Sequence, residues 1–390
     1  MLAKEKTFFL SIIKDYIDGK KTEADESVDW KMIFDYSQSH QLVAIVYHQC
    51  KSFMSVDITD AFKSSTFSTI YSNRNRKKLT ENILSILKES GISCFLIKGF
   101  EIANYYPNWE YRTMGDTDIV VDDLEKAHEI LLNNNFQNIS KNKEKEFQYC
   151  KLGIEYELHG RLVYDEAINL DSATAFLNSY RKHLFDGKLE DSFHFIFILN
   201  HLRKHFMNSG AGFRQFIDVA VLIKNNDKID WTWTEEQLDR IGLLSFAKVV
   251  FYYIERWFGI SAPIKPVSIS EEVFETSTEY VFNNGVFGFG NEANKAYSAS
   301  NIVRKSRHPK LTMVIIALKK IFPSYTAMTG SQNYSFLCGK PFLLPIAWIY
   351  RWGKTIKNGK INEGKKQISK SFVSKTYVAE REEMFKNWGC

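Results

Sequence analysis

Two carboxylates one residue apart, Asp116 and Asp118, stand directly before an apolar, β-branched run, Ile119-Val120-Val121. A short run of this kind reads as a buried strand. Side chains i and i+2 of a strand point the same way, so the two carboxylates share a face. Carboxylates held together repel, and burying them unpaired is costly. A hard divalent cation, which takes oxygen ligands, relieves both problems. Asp-x-Asp is also ordinary punctuation at turns and strand ends, so the pair takes its meaning from its surroundings.

Those surroundings are rich in groups that bind anions and metals. Phe95-Leu96-Ile97 is a second strand-like run, and it breaks at Lys98-Gly99. Gly99 lets the backbone approach a phosphate, a helix starting there would offer free N–H groups, and Lys98 adds a positive charge. Arg112 lies four residues before Asp116. Its guanidinium could pair with that carboxylate or reach a triphosphate bidentately. Further along, Ile154-Glu155-Tyr156-Glu157-Leu158-His159 alternates, placing Glu155, Glu157 and His159 on one face and the apolar residues on the other. Such a strand is either an exposed surface or the wall of an active site. His201 and His205 sit at i and i+4 on a helical run, a spacing also used for zinc. Position 202 is Leu, so the zinc-protease pattern is absent. The pair reads as polar positions on a packed helix, with Arg203, His205 and Asp218 as secondary candidates for touching a ligand.

Taken in order, Leu96-Ile97-Lys98-Gly99, Tyr106-Pro107, Arg112-Thr113-Met114-Gly115-Asp116-Thr117-Asp118 and Glu157-Leu158-His159 resemble the signature of the uncharacterised nucleotidyltransferase family, within the polymerase-β-like superfamily. The likeness is clearest over residues 80–220, with weaker echoes near 320–352. It implies that Asp116, Asp118 and Glu157 hold Mg2+ or Mn2+ and carry catalysis, with Glu155 as the substitute for Glu157. It assigns Lys98, Gly99, Arg112, Gly115 and His159 to the nucleotide. The implied reaction moves a nucleotidyl group from a nucleoside triphosphate to an acceptor: a sugar phosphate, a small molecule, a protein side chain or an RNA end. Gly160 departs from the Trp that often follows the family's His, which leaves the pocket's shape open while the carboxylates stay intact. The alternative reading is a catalytically silent binding or regulatory protein on the same fold. Its mark would be loss of a carboxylate, and none is lost.

The elements that must position these residues alternate between helix and strand. Residues 1–75 read as a helical lead-in and 76–90 as an amphipathic helix stopped by Gly91. Strand 93–97 follows, and after the Asp-x-Asp strand comes a helix over 122–136, with Asp122 or Asp123 as its cap and His128 on its surface. Two strands within 145–164 turn near Lys151–Gly153. The fold class is α+β: a small mixed β-sheet nucleotidyltransferase core over 76–185 with helical regions on both sides, a helical module over 186–260 and a C-terminal, mainly helical region over 261–390.

Composition sets outer bounds. The 390 residues carry 51 Lys and Arg against 46 Asp and Glu, so the net charge of +5 does not by itself call for a nucleic acid. Five scattered cysteines without a Cys-x-x-Cys pair argue for reduced thiols in the cytoplasm and against a cysteine zinc site. The N-terminal apolar patch is too short and too charged for a secretory signal. Gly288-Phe289-Gly290 follows no strand and lacks the third glycine of a dinucleotide motif. Two apolar stretches, 311–324 and 342–354, are long enough for buried or interfacial helices and too short to span a bilayer. Eight basic residues against Glu363 follow between Arg351 and Lys375, a run suited to weak contact with an anionic membrane or to a polyanion.

Overall fold

The computed structural model describes residues 2–25, 27–140, 146–163, 171–185, 190–208, 210–286, 308–325, 328, 336–337, 340–357 and 382–390. The chain divides into two compact units, Met1–Gly288 with Asn387–Cys390, and Phe289–Lys386. Helices of the first unit are numbered in chain order, beginning with α1 (Lys4–Asp18), α2 (Trp30–Ser39) and α3 (Val43–Cys50) and including α7 (Asp171–Ser179), α8 (Arg181–Phe185) and α11 (Trp231–Arg240). The Gly-x-Gly at 288–290 and the basic run beyond Lys357 lie outside the described residues.

In the first unit, five strands among the described residues form one mixed sheet: β1 (Cys94–Leu96), β2 (Thr117–Val121), β3 (Gln137–Asn138), β4 (Glu146–Lys151) and β5 (Ile154–His159), in the spatial order β1-β2-β5-β4-β3. Only the β2–β5 pairing is parallel. A parallel pair needs a crossover, and here it consists of α6 (Leu124–Asn133), β3 and β4. Asp123 caps α6 by accepting from the Lys126 N–H at 3.0 Å, as its position predicts. Period-two alternation then separates the sheet's faces. Ile119, Val121, Phe147, Tyr149, Tyr156 and Leu158 point to one side, where they pack with Ile83, Leu87, Ala127 and Leu131. Asp118, Glu157 and His159 are left on the other.

Residues 55–90 depart from the sequence expectation. The helix expected from residue 76 is the second half of α4 (Val56–Glu89), 34 residues and about 50 Å long. No Gly or Pro interrupts residues 56–89, so nothing in the sequence forces a break. Its buried stripe is apolar at the ends, with Phe62, Ile83 and Leu87, and polar between, with Asn73 and Arg76. That polar middle grips the chain around the Asp-x-Asp. Asn73 donates to the backbone carbonyls of Glu110 at 2.8 Å and Arg112 at 3.0 Å. Arg76 donates to the Thr117 hydroxyl at 3.1 Å and the Glu155 carbonyl at 3.2 Å.

His128 also differs from expectation. Its ring stacks on Phe147 at 3.7 Å and meets the Tyr149 hydroxyl at 2.5 Å, so it is half-buried between α6 and the sheet.

Helices cover the opposite side. α9 (Asp191–Asn208) and α10 (Phe213–Asn225) stand across a cleft from the sheet, α12 (Leu244–Phe258) packs on α10, and α13 (Glu271–Asn284) packs on α12. Trp388 returns to this unit and stacks on Tyr253 with ring centres 4.3 Å apart. In the second unit, helices Pro309–Ile321 and Leu344–Lys357 meet through Trp348, whose indole N–H donates to the Pro323 carbonyl at 2.9 Å. No helix among the described residues is long and apolar enough to cross a membrane.

The connection from Gly99 to Gly115 carries little regular structure and is fastened from outside. Arg112, 5% exposed, makes a two-pronged ion pair with Asp218 of α10: Nε to Oδ1 at 2.7 Å and Nη2 to Oδ2 at 2.9 Å. The Tyr106 hydroxyl donates to the same carboxylate at 2.7 Å, and Arg214 donates to the Thr113 carbonyl at 2.7 Å. Removing one partner of a buried pair strands the other charge and costs about 3–5 kcal/mol. Asp218→Asn should therefore lower the unfolding free energy by about that much in urea titration. Arg112→Lys, which keeps the charge but not the fork, should lose most of the same amount.

Candidate active site

Register decides which side chains meet. In the parallel β2–β5 ladder Asp118 lies opposite Glu157. Two acids on neighbouring strands, on the side away from the apolar core, form the floor of a cleft. Asp118 is 7% exposed, and Lys98 Nζ sits 2.8 Å from its Oδ1. His159 Nε2 lies 3.0 Å from the same oxygen and 3.5 Å from Glu157 Oε2, while its Nδ1 is 3.6 Å from Glu146 Oε2. Gln148, opposite Glu157 on β4, donates to Glu157 Oε1 at 2.7 Å.

The electrostatics follow from this crowding. Burial pushes the Asp118 carboxyl up, but Lys98 and then His159 more than offset it and hold the group well below the usual carboxylate range. Burial works against the charge on Lys98, yet Asp118, Asp116 and Glu157 raise its pKa overall. Glu157 is compensated less fully. Burial first, then repulsion from Asp116, pushes its carboxyl up to about 7, although His159 pulls the other way. The floor carries more negative charge than its cations balance.

Asp118, Glu157 and His159 each offer an atom within 4.8 Å of the others, a set able to hold a metal ion. Two carboxylates with an imidazole suit a divalent cation of hard or borderline character. Asp116 is exposed and stands on the rim, lining the cleft without joining that tight group. His159, which the sequence reading places beside Glu157 and gives to the nucleotide, lies in the cluster with the acids.

The other expected residues fall around the same opening. Two lobes, about 290 and 350 Å3, share Lys98, Asp116, Asp118, His201 and His205. Gly99 adopts φ 61°, ψ −106°, a conformation in which a side chain is strained. The helix it starts, α5 (Phe100–Ala103), is a single turn, so it supplies little of the dipole expected for anion binding. Gly115 lines the larger lobe, where a Cβ would meet nothing within 4 Å. Glu155 lines the larger lobe, away from Glu157's. Arg112 does not pair with Asp116, because its fork is taken by Asp218. Arg203 is buried and does not line either lobe.

α9 roofs the cleft. His201 and His205 touch through their Nε2 atoms at 3.0 Å. Burial lowers the pKa of both, His205 to about 4. Deeper on α9, the His194 ring meets the Ile97 carbonyl at 3.0 Å, anchoring the strand end before Lys98. Several cleft residues escaped the sequence reading, among them Glu146 and Lys204 in one lobe and Arg214 in the other. Arg214 lines the larger lobe, and its Nε is buried without a hydrogen-bond partner among the described residues. The available signal was its i, i+4 spacing to Asp218 on a helix that is apolar from Val219 to Ile223.

These buried imidazoles set a pH limit. Burial lowers the pKa of His194 to about 4 and of His40 to about 3. Unfolded histidine takes a proton near pH 6.5. Below that value the unfolded chain binds protons that the folded one refuses, so stability falls with pH. Each such histidine contributes a slope of about 1.4 kcal/mol per pH unit between its two pKa values. Glu157, raised in the fold, acts in the opposite sense between about 4.3, its ordinary value, and 7. The histidines outnumber it. Chemical denaturation should show stability decreasing from pH 6.5 to 5, and His194→Gln should flatten that slope by about one histidine's share.

Comparison with known proteins supplies the family. A family model described as "uncharacterised nucleotidyltransferase" matches residues 26–259. That range contains the whole sheet, α9, α10 and every cleft residue described above, apart from Val286 at the edge of the larger lobe. No curated protein matches the chain, and no solved structure matches it. A match over more than half of the 390 residues, covering the fold that builds the cleft, makes this chain a member of the uncharacterised nucleotidyltransferase family.

Proposed function

We propose that this protein transfers a nucleotidyl group from a nucleoside triphosphate to a hydroxyl or phosphate acceptor, with Mg2+ or Mn2+ as cofactor. The observation that carries the reading is the parallel register of Asp118 and Glu157 beneath a cleft with basic walls. Asp118 and Glu157 would hold the metal, His159 joins them at the same point, and Asp116 reaches in from the rim. A cation bound there would polarise the α-phosphate and favour the acceptor's alkoxide.

The chain's own groups divide the remaining work. Lys98 and Arg214 present positive charge to the cleft and suit the β- and γ-phosphates, with the Gly99 and Gly115 backbones close to the same lobe. Arg112 acts as a positioning residue, since it fixes the Gly99–Gly115 connection to α10 and also donates to the Gly99 carbonyl at 3.3 Å. Attack by the acceptor oxygen on the α-phosphorus forms the new P–O bond. The bond to the β-phosphate oxygen breaks, and pyrophosphate leaves with its electron pair. Glu157, on the cleft floor beside the point where the cation would sit, is placed to accept the acceptor's proton.

Pyrophosphate release should be measured with each nucleoside triphosphate, Mg2+ or Mn2+, and panels of sugar phosphate, small-molecule, protein and RNA acceptors. Asp118→Asn or Glu157→Gln should reduce turnover at least about a hundredfold, the scale of a lost metal ligand. Arg214→Ala removes a charged hydrogen-bond donor of about 1.5–3 kcal/mol and should raise the KM for nucleotide about ten- to a hundredfold. Nucleotide binding that persists without metal, with no turnover on any acceptor, would favour the catalytically silent reading.

A further inference from the structure

The second unit has a distribution of charge and apolar surface that nucleotide chemistry does not require. Twelve of the chain's 51 Lys and Arg, and none of its 46 Asp and Glu, fall between Ala293 and Asn362. The near balance of the whole chain conceals this segregation. Within that stretch lie the two helices Pro309–Ile321 and Leu344–Lys357.

Each helix buries one side and exposes an apolar stripe on another. On the first, Ala317 is buried, while Leu311, Val314, Ile315 and Leu318 are 42–58% exposed at i, i+3, i+4 and i+7. On the second, Ala347 is buried, and Ile346, Ile349 and Tyr350 are at least half exposed, preceded by Phe342 at 76%. Spacing of this kind makes a stripe along one helix face. Lys310, Lys319, Lys340 and Lys354 are exposed among these residues. The small cluster of Met328, Leu337 and Ala347 leaves these exposed residues outside it.

Length fixes how such a surface can meet a bilayer. Helices of 13 and 14 residues extend about 20 Å, short of the ~30 Å hydrocarbon core. They can lie in the interface but not span it. Apolar side chains then enter the acyl boundary while lysines remain among the headgroups. The four exposed lysines, in a stretch of sequence without acids, favour anionic headgroups. A protein partner would also cover apolar stripes, but a continuous absence of acids matches the uniform negative charge of a lipid surface better than the mixed charge of a protein interface.

We propose that these two helices form an interfacial surface that docks the protein on anionic lipid bilayers. The test is vesicle flotation with the full chain, using phosphatidylcholine vesicles and equimolar phosphatidylcholine/phosphatidylglycerol vesicles. The protein should float with the anionic vesicles, remain behind with phosphatidylcholine, and be released by high salt. The double variant Ile346→Asp/Ile349→Asp should weaken partitioning at least tenfold with an unchanged circular dichroism spectrum. Since a buried core position would instead lose structure, Lys310→Glu/Lys319→Glu provides a second variant, expected to reduce binding on the anionic vesicles. Failure to float with anionic vesicles would overturn the proposal. So would binding that neither variant weakens, or a concentration-dependent dimer in sedimentation that the Asp variant dissolves.

Discussion

Asp118 and Glu157 are held opposite each other on parallel neighbouring strands, and like charges placed so oppose sheet formation. The surrounding structure supplies the compensation. Lys98 arrives from the end of β1, His159 from the next same-face position of β5, and Gln148 from β4. These partners leave Asp118 ionised and leave Glu157 under-compensated. A fold seeking stability alone would place Gln or Thr at one of the two positions. The geometry instead concentrates negative charge at the floor of a cleft whose walls are basic.

Period-two patterning made much of this legible. Alternation in 154–159 separates Glu155, Glu157 and His159 from the core residues, and the sheet honours that separation. The Asp123 cap and the strand ending at Lys98-Gly99 follow from local chemistry as well. Pairing between distant segments does not. Nothing near Arg112 identifies Asp218, so the nearby Asp116 was a natural partner on paper. His128 carries a polar label on an amphipathic helix, yet Phe147 offers it a ring to stack on. α4 ran on past the expected start because residues 56–75 contain no breaker, while their Ser and Thr content gives only weak helix propensity.

The site residues themselves divide by reach. The carboxylates and His159 gather through strand register, which sequence periodicity constrains. Arg214 enters the cleft because α10 docks with its Arg214/Asp218 face toward the 99–115 connection. That is a property of helix packing, and no window along the chain displays it. His201 and His205 are read in sequence as a packed pair, and burial keeps them so. Their position above Lys98 emerges only when α9 covers the sheet.

The ion pair between Arg112 and Asp218 joins residues 106 positions apart. During synthesis the strands bearing Asp118 and Glu157 leave the ribosome well before Asp218 exists. Until α10 emerges and docks, Arg112 has no buried partner, and the segment from Gly99 to Gly115 has lost its main fastening. Order of synthesis thus delays completion of the cleft until the chain has been made through α10. A nascent chain holding both Asp118 and Glu157 would still lack the helical wall that faces them across the cleft.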